Sequence, residues 1–138
     1  MIEEFGYDEV NVNCGCPSNK VLIGAFGAVL MFDPHLVARI TKQMIKSVKK
    51  IPVTVKCRLG VDDVDKWEDI VKFVKIVSEE GGVTKFIIHA RKAHLNGLNP
   101  KENRTIPPLR YDWVFELKLL YPHLHFVING GFDEIGKI

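Results

Sequence analysis

The sequence predicts an α/β protein built on a parallel sheet, and three observations support this fold class. Short runs of β-branched and aromatic residues alternate with segments whose apolar residues recur at helical spacing. This order of elements, βαβαβαβ, is typical of a parallel sheet. The strand runs are apolar on both faces, as expected where helices cover a sheet from both sides. Polar residues and glycines follow the strands, at the edge where parallel sheets bind ligands.

The first half of the chain predicts two strands and one helix. Residues 9–13, within "DEVNVN", predict the first strand, and a loop rich in Gly, Pro and Ser follows it. Asp33 and Pro34 are the residue types that favour a helix N-cap and a first helical position. "IPVTVKC", residues 51–57, predicts the second strand. The helix between these strands is predicted to face inward through Leu36, Val37, Ile40, Met44, Ile45 and Val48.

The second half predicts two further helices and two further strands. A helix is expected from about residue 65 to residue 80, and Gly81-Gly82 ends it. "TKFIIHA" predicts the third strand, and a long loop then occupies residues 91–110. Asp112 is predicted to cap a short helix that runs through Tyr121, before the fourth strand, "LHFVIN". The last residues predict the start of another helix.

Length and charge limit the possible architectures and partners. The 138 residues suit one ordinary domain. A complete (β/α)8 barrel usually needs roughly 250 residues, so the sequence predicts either an open four-stranded sheet or a piece of a larger barrel. The net charge of +2 indicates a nucleic-acid partner only if the basic residues are concentrated on one face. No apolar run approaches the length of a membrane span, so we expect no membrane partner.

The three cysteines predict a reducing, cytoplasmic location, because their number is odd and the start of the chain lacks the regions of a signal peptide. Cys14 and Cys16 lie together in "NVNCGCPSNKV", where a metal site, a disulfide and a catalytic thiol are the candidates. Zinc would require Cys14, Cys16, Cys57 and His89, but the sequence has no second closely spaced pair, so we predict no metal. Strand alternation predicts that Cys14 packs in the core.

Side chains able to do chemistry are predicted at one edge of the sheet, where the four strands end. Carboxyl ends of parallel strands form the ligand-binding edge both in open sheets and in barrels. In strand order, the groups at this edge are Asn13, Cys14 and Cys16; Lys56, Cys57 and Arg58; His89 and Arg91; and Asn129, Gly130 and Gly131.

Four motifs carry a family resemblance over nearly the whole chain. "NVNCGCPSNKV…GAFGAVLM", "IPVTVKCRLGVDD", "FIIHARKAHLNGLNPKENRTIPPLRY" and "INGGF" resemble, in order, motifs of the tRNA-dihydrouridine synthases. The similarity is greatest to the bacterial-type subfamily that acts on uridines 20 and 20a of the tRNA D-loop. It implies an FMN-binding (β/α)8 barrel, of which residues 1–138 resemble strands four to seven. The other strands and a C-terminal helical tRNA-binding domain would be absent. Cys14 departs from the family, which more often has a small apolar residue there.

The resemblance also implies roles for individual residues. Cys16 matches the catalytic cysteine, which donates a proton when uracil is reduced; an ordinary cysteine is mostly a thiol at neutral pH. FMN would be the hydride donor and NADPH the reductant. The residues implied to bind the cofactor are Lys56, His89, Asn129, Gly130 and Gly131. The residues implied to bind tRNA are Asn13, Arg91, Lys101, Asn103 and Arg104.

Two alternative functions are compatible with the same residues. A half barrel exposes two sheet edges, so the chain is also compatible with an inactive fragment or an RNA-binding module. The other alternative is a different FMN barrel oxidoreductase that acts on a small pyrimidine or enone. That enzyme would share the lysine and the diglycine but would not need "NPKENR".

Overall fold

The computed structural model describes residues 2–18 and 24–137 and contains a four-stranded parallel sheet in the order β1-β2-β3-β4. The α/β fold class with a parallel sheet is therefore confirmed, and the four strands do not close into a barrel. Part of the predicted Gly-, Pro- and Ser-rich loop, residues 19–23, lies outside the described residues. The strands are β1 (Val10–Cys14), β2 (Val53–Arg58), β3 (Lys85–His89) and β4 (His125–Asn129). The helices are α1 (Pro34–Ser47), α2 (Trp67–Glu79) and α3 (Tyr111–Leu120).

Short 3-10 helices complete the described elements, at Glu3–Phe5, Gly27–Phe32, Glu102–Arg104 and Ile135–Lys137. The last of these occupies the position where the sequence predicts the start of another helix. Within residues 2–18 and 24–137, no helix combines the length and the apolar character needed to cross a bilayer.

Side-chain capping explains where α1 begins but not where α3 begins. At α1, Asp33 Oδ1 accepts a hydrogen bond from the Leu36 amide at 2.9 Å, as its N-cap position predicts. The prediction for α3 is wrong by two residues. The N-cap is Arg110, and Asp112 lies in the first turn. A carboxylate in the first turn still interacts favourably with the positive end of the helix, so Asp112 favours the same helix without capping it.

The two faces of the sheet differ, which corrects the prediction that the strands are apolar on both. One face is apolar and packs against the helices; its buried strand residues are Cys14, Val53, Val55, Cys57, Phe86 and Ile88. Phe86 stacks on Phe126 with ring centroids 5.9 Å apart. The opposite face is largely polar. Its strand residues are Asn11, Asn13, Thr54, Lys56, Arg58, Lys85, Ile87, His89, His125, Val127 and Asn129.

Helix α1 packs through small residues rather than through its largest apolar ones. Its buried residues are Val37, Ala38 and Thr41, whereas Ile45, predicted to face inward, is 38% exposed. The reason is a close contact with the turn after α2. Thr41 Oγ1 donates to the Gly81 carbonyl at 3.3 Å, and a Cβ on Gly81 would lie 3.0 Å from the Ala38 Cα. A rotation that buried Ile45 would break this contact.

Candidate functional site

A cleft of about 590 Å3 lies at the carboxyl edge of the sheet, as the sequence predicts. All four strands contribute to it, and most of the groups predicted at this edge do converge. Cys14, Cys57 and Arg91 were also predicted there but do not line the cleft. Its lining residues are Asn13, Gly15, Cys16, Pro17, Lys56, Arg58, His89, Pro100, Arg104, Asn129, Gly130, Gly131 and Phe132.

Strand register explains why side chains from distant parts of the sequence meet here. Asn13 on β1 is the register partner of Lys56 on β2. Arg58 on β2 is paired with His89 on β3, which is paired in turn with Asn129 on β4. Since register partners in a sheet point to the same face, these five side chains all lie on the polar face.

The loop that carries Cys16 is held at both ends by hydrogen bonds. The Asn13 Oδ1 accepts from the backbone amides of Gly15 at 2.9 Å and Cys16 at 3.1 Å. The Cys16 carbonyl accepts from the Ala28 amide at 2.9 Å. Pro17 is buried and fixes the backbone beside the thiol. Cys16 itself is only partly buried, so its backbone is held in place while its side chain is reachable from the cleft.

Cys14 and Cys57 belong to the opposite face and to the packed core, as predicted for Cys14. They are register partners, and both are fully buried. Burial raises the pKa of Cys14 to about 12 and also raises the pKa of Cys57. The zinc set that would combine them with Cys16 and His89 does not converge, because His89 lies on the other face. Within the described part of the chain, no group of three or more His, Cys, Asp or Glu residues could hold a metal ion.

The cleft is rich in positive charge. Burial, and then the neighbouring Arg58, lower the pKa of Lys56. Burial, followed by the charge of Arg91, lowers the pKa of Arg58 to about 10. His89 has its pKa lowered to about 3, first by burial and then by the surrounding cations, so its imidazole is neutral at neutral pH. Among the described residues that line the cleft, none is acidic. The site therefore favours an anionic ligand.

The diglycine turn after β4 needs glycine for two reasons. Gly130 and Gly131 have positive φ values of 101° and 77°. A Cβ on Gly130 would lie 2.5 Å from the His89 ring, and one on Gly131 would lie 2.5 Å from Leu109. The Tyr111 hydroxyl donates a hydrogen bond to the Gly130 carbonyl, which helps to fix the turn. Sequence reasoning did not identify Tyr111 as part of the site. The only signal that could have indicated its contact with this turn was its position just after the long loop.

Arg58 joins the cysteine loop to the long loop, a role that the sequence did not reveal. Its Nε donates to the Gly15 carbonyl at 3.0 Å, and its Nη1 donates to the Asn103 carbonyl at 2.7 Å. The side chain is buried. The available signal was strand alternation, since Arg58 follows Lys56 by two residues and must share its face.

The predicted RNA-contacting residues of the long loop fall into two groups. Lys101 and Arg104 are exposed, and Arg104 lines the cleft. Asn103, by contrast, is fully buried. Its Oδ1 accepts from the His94 amide at 2.7 Å, and its Nδ2 donates to backbone carbonyls, including that of His94 at 2.9 Å. The amide of Asn103 therefore shapes the loop and does not lie where RNA could reach it.

Arg91 is also buried, which is unlike the surface phosphate contact expected from the sequence. Its Nε donates to the Pro107 carbonyl at 2.7 Å, and its Nη1 lies 3.3 Å from the His89 Nε2. Because His89 is neutral, its Nε2 can accept a hydrogen bond from the Arg91 guanidinium. Arg91 therefore contacts His89 from outside the lining of the cleft. Its positive charge still acts on the site from that position.

Comparison with known proteins adds the family context. The model of the family described as dihydrouridine synthase matches residues 1–138. A tRNA-dihydrouridine(20/20a) synthase of Vibrio parahaemolyticus is 55% identical over 135 residues, which are 98% of this chain and 41% of that protein. Proteins of the same name from Synechocystis and Escherichia coli K12 are 54% and 53% identical, over 99% and 98% of this chain. The chain spans about two fifths of the length of these relatives.

Proposed function

Since the chain belongs to the dihydrouridine synthase family, we propose that the polypeptide containing it reduces uridine in tRNA to 5,6-dihydrouridine. FMN would be the hydride carrier and NADPH the reductant. One observation carries the proposal: a partly exposed, firmly held Cys16 shares a cation-lined cleft with Lys56 and a diglycine turn. These are the three groups that reduction of a double bond by a flavin requires, namely a proton donor, a charge partner and a phosphate site.

The residues present fit FMN. Gly130 and Gly131 line the cleft, and glycine has no side chain to keep a phosphate away from its backbone. His89 and Asn129 flank that turn. Lys56 lies on the same face and lines the cleft, where its ammonium would neutralise the negative charge of the reduced isoalloxazine ring. When bound, the flavin would supply the hydride.

This chain would supply the proton. Reduction of the 5,6 double bond adds a hydride to one carbon and a proton to the other, and we assign the proton to the Cys16 thiol. Backbone hydrogen bonds on both sides of Cys16 restrict where its sulfur can go. A proton donor held within reach of the reacting carbon typically contributes about 100-fold to 10,000-fold in rate.

The long loop would bind the RNA around the target base. A base must leave its stack to enter the cleft, which costs a few kcal/mol. Lys101 and Arg104 are exposed, and Arg104 lines the cleft; both could offset that cost through phosphate contacts. We assign supporting roles to Asn103 and Arg91, because both are buried and hydrogen-bonded within the loop.

The test is a comparison of two cysteines in the complete natural polypeptide. Cys16→Ala should lower dihydrouridine formation on unmodified tRNA by about 100-fold to 10,000-fold and leave the flavin spectrum unchanged. Cys14→Ala is the matched control, since it removes a thiol two residues away on the other face. It should retain normal turnover in the folded enzyme. Undiminished turnover by Cys16→Ala would rule out the acid role.

Substrate choice separates this proposal from a small-molecule oxidoreductase. The exposed Lys101 and Arg104 favour RNA, because a free pyrimidine has no phosphate for them to bind. We therefore expect turnover of tRNA and none of free uracil. Turnover of free uracil at a comparable rate would favour a flavin enzyme of another class. Binding of tRNA without FMN binding would favour an RNA-binding module.

A further inference from the structure

We propose that Asp65 is a positioning residue that holds the long loop, residues 91–110, in place beside the cleft and thereby strengthens the binding of tRNA. The inference rests on the proposed function and deepens it, because it names the contact that orients the RNA-binding side chains. Asp65 belongs to the anchor loop, residues 59–66, which joins β2 to α2.

The carboxylate of Asp65 contacts both ends of the long loop. Near the start of the loop, Lys92 Nζ donates a hydrogen bond to Asp65 Oδ2 at 3.0 Å. At the end of the loop, Arg110 Nη2 lies 3.7 Å from the same oxygen. Arg110 Nη1 also donates to the Asp65 backbone carbonyl at 3.3 Å. One acidic side chain therefore joins two basic residues, eighteen positions apart, to the anchor loop.

Backbone hydrogen bonds close the long loop but do not hold its end against the anchor loop. The Arg110 amide donates to the Ala90 carbonyl at 2.8 Å, which brings the two ends of the long loop together. The Ala93 amide donates to the Gly60 carbonyl at 2.9 Å, which ties the start of the long loop to the anchor loop. Among the hydrogen bonds and ion pairs of the described residues, only those with Asp65 do the same for Arg110.

The Arg110 side chain is also held by an aromatic pair. Its guanidinium carbon lies 4.2 Å from the centroid of the Trp113 ring, and Trp113 meets Trp67 edge-on with ring centroids 5.7 Å apart. Trp67 begins α2 and Trp113 lies in the first turn of α3, so both rings belong to helices. A cation stacked on a ring and paired with a carboxylate has a well-defined orientation. Asp65 therefore completes a rigid mount for the end of the long loop.

The exposed cations of the long loop, Lys101 and Arg104, lie between the two ends that Asp65 holds. A loop that is already positioned loses less conformational freedom when it binds RNA, which increases affinity. The negative charge of Asp65 acts in the opposite sense, since an acid near phosphate contacts repels RNA. A positioning role and simple electrostatics therefore predict opposite effects of neutralising Asp65.

Two variants of the complete natural polypeptide and one control test the proposal. Asp65→Asn removes the charge and keeps the size, whereas Asp65→Glu keeps the carboxylate. The control is Glu9→Gln, because Glu9 pairs with Lys85 at 2.7 Å, and the side chains of Glu9 and Asp65 are each 32% exposed. Lys85 begins β3, at the opposite end of the strand from the long loop. The measurements are kcat and KM for tRNA, the affinity for FMN, and amide hydrogen exchange in the RNA-free protein.

Asp65→Asn should raise the KM for tRNA by about tenfold, because a loosely held loop must be ordered when RNA binds. Its kcat and its affinity for FMN should change little, since Asp65 does not line the cleft. Amide exchange should become faster in the long loop and the anchor loop, and stay the same in the four strands. Asp65→Glu should raise KM less than Asp65→Asn does. Glu9→Gln should leave KM, kcat, FMN affinity and exchange in the long loop unchanged.

An unchanged or lower KM in Asp65→Asn would overturn the proposal, since the carboxylate would then act through its charge alone or not at all. A higher KM without faster exchange in the long loop would also overturn it, as would an equal rise in Glu9→Gln. The exchange measurement needs no turnover, so it tests the role of Asp65 in the loop independently of enzyme activity. An unaltered polypeptide that makes no dihydrouridine would instead refute the proposed function.

Discussion

The two faces of the sheet share every strand, yet they have different tasks. In β2, Val55 and Cys57 point into the helix-covered core, whereas Lys56 and Arg58 point into the cleft. The apolar face is stabilised by burial and close packing. The polar face buries several cations with backbone carbonyls and neutral groups around them, and it is therefore suited to an anionic ligand. Alternation within one strand thus separates the residues that hold the fold from the residues that do the chemistry.

The cysteines show the same separation on a smaller scale. Cys14 ends β1 and is fully buried, and burial raises its pKa to about 12. Cys16 follows it by two residues, but it lies in the loop beyond the strand and lines the cleft. The strict alternation of side chains ends where the strand ends, so spacing alone would have placed both thiols on one face. The hydrogen bonds that Asn13 Oδ1 accepts from the Gly15 and Cys16 amides turn the loop toward the other face.

The largest expected effect of a substitution on the free energy of unfolding comes from exchanging polar and apolar side chains between the two faces of β2. Val55→Thr places a hydroxyl in the apolar core, where Val55 is fully buried. We expect a loss of about 1 to 3 kcal/mol in the free energy of unfolding, measured by urea titration. The reciprocal variant, Thr54→Val, removes the hydrogen bonds of Thr54 to Glu9 and Asn11 on the polar face. It should cost less, about 0.5 to 1.5 kcal/mol, because water can reach both partner side chains. A larger loss from Thr54→Val would contradict the comparison.

A smaller effect is expected from a change at the cleft itself. Gly130→Ala should weaken FMN binding about tenfold, because alanine at positive φ costs about 1 to 2 kcal/mol and its Cβ would displace the His89 ring. Fluorescence titration with FMN measures the affinity. Gly97→Ala is the matched control, since Gly97 also has positive φ but its Cβ would meet nothing within 4 Å. Equal effects of the two variants would show that backbone strain alone is responsible.

The features that follow from local chemistry were predictable from the sequence. Periodicity gave the strands and helices, and Asp33 gave the start of α1. The parallel order followed from the alternation of elements, and the convergence of Lys56, His89 and the diglycine turn followed from the parallel order. Each of these inferences depends on neighbouring residues or on a rule that holds for all parallel sheets.

The remaining features depend on contacts between residues far apart in the sequence. The rotation of α1 depends on Thr41 meeting Gly81, forty residues later. The burial of Asn103 depends on how the long loop folds on itself, since its partners His94 and Leu98 also belong to that loop. The role of Arg58 in joining the cysteine loop to the long loop could be identified only once the positions of the carbonyl groups that it contacts were known. No local pattern encodes such contacts, so sequence reasoning predicted an RNA contact for Asn103 and no role for Arg58.

The polar face also produces a dependence of stability on pH in the acidic range, through His89. Burial and the surrounding cations lower the pKa of His89 to about 3 in the folded protein, whereas an unfolded histidine has a pKa of about 6.5. Between these values the unfolded chain binds a proton that the folded protein does not. The stability contributed by neutral His89 is therefore complete above the unfolded pKa and is lost as the pH falls toward the folded value.

His89→Gln should remove this dependence, because glutamine does not titrate. Urea unfolding of the flavin-free protein at a series of pH values between the two pKa values measures the slope. The slope should be shallower for His89→Gln than for the unaltered protein. His123→Gln, which removes an exposed imidazole before β4, is the control for losing a histidine as such. Equal slopes for His89→Gln and the unaltered protein would mean that neither burial nor the neighbouring cations lower the pKa of His89, which would contradict the prediction.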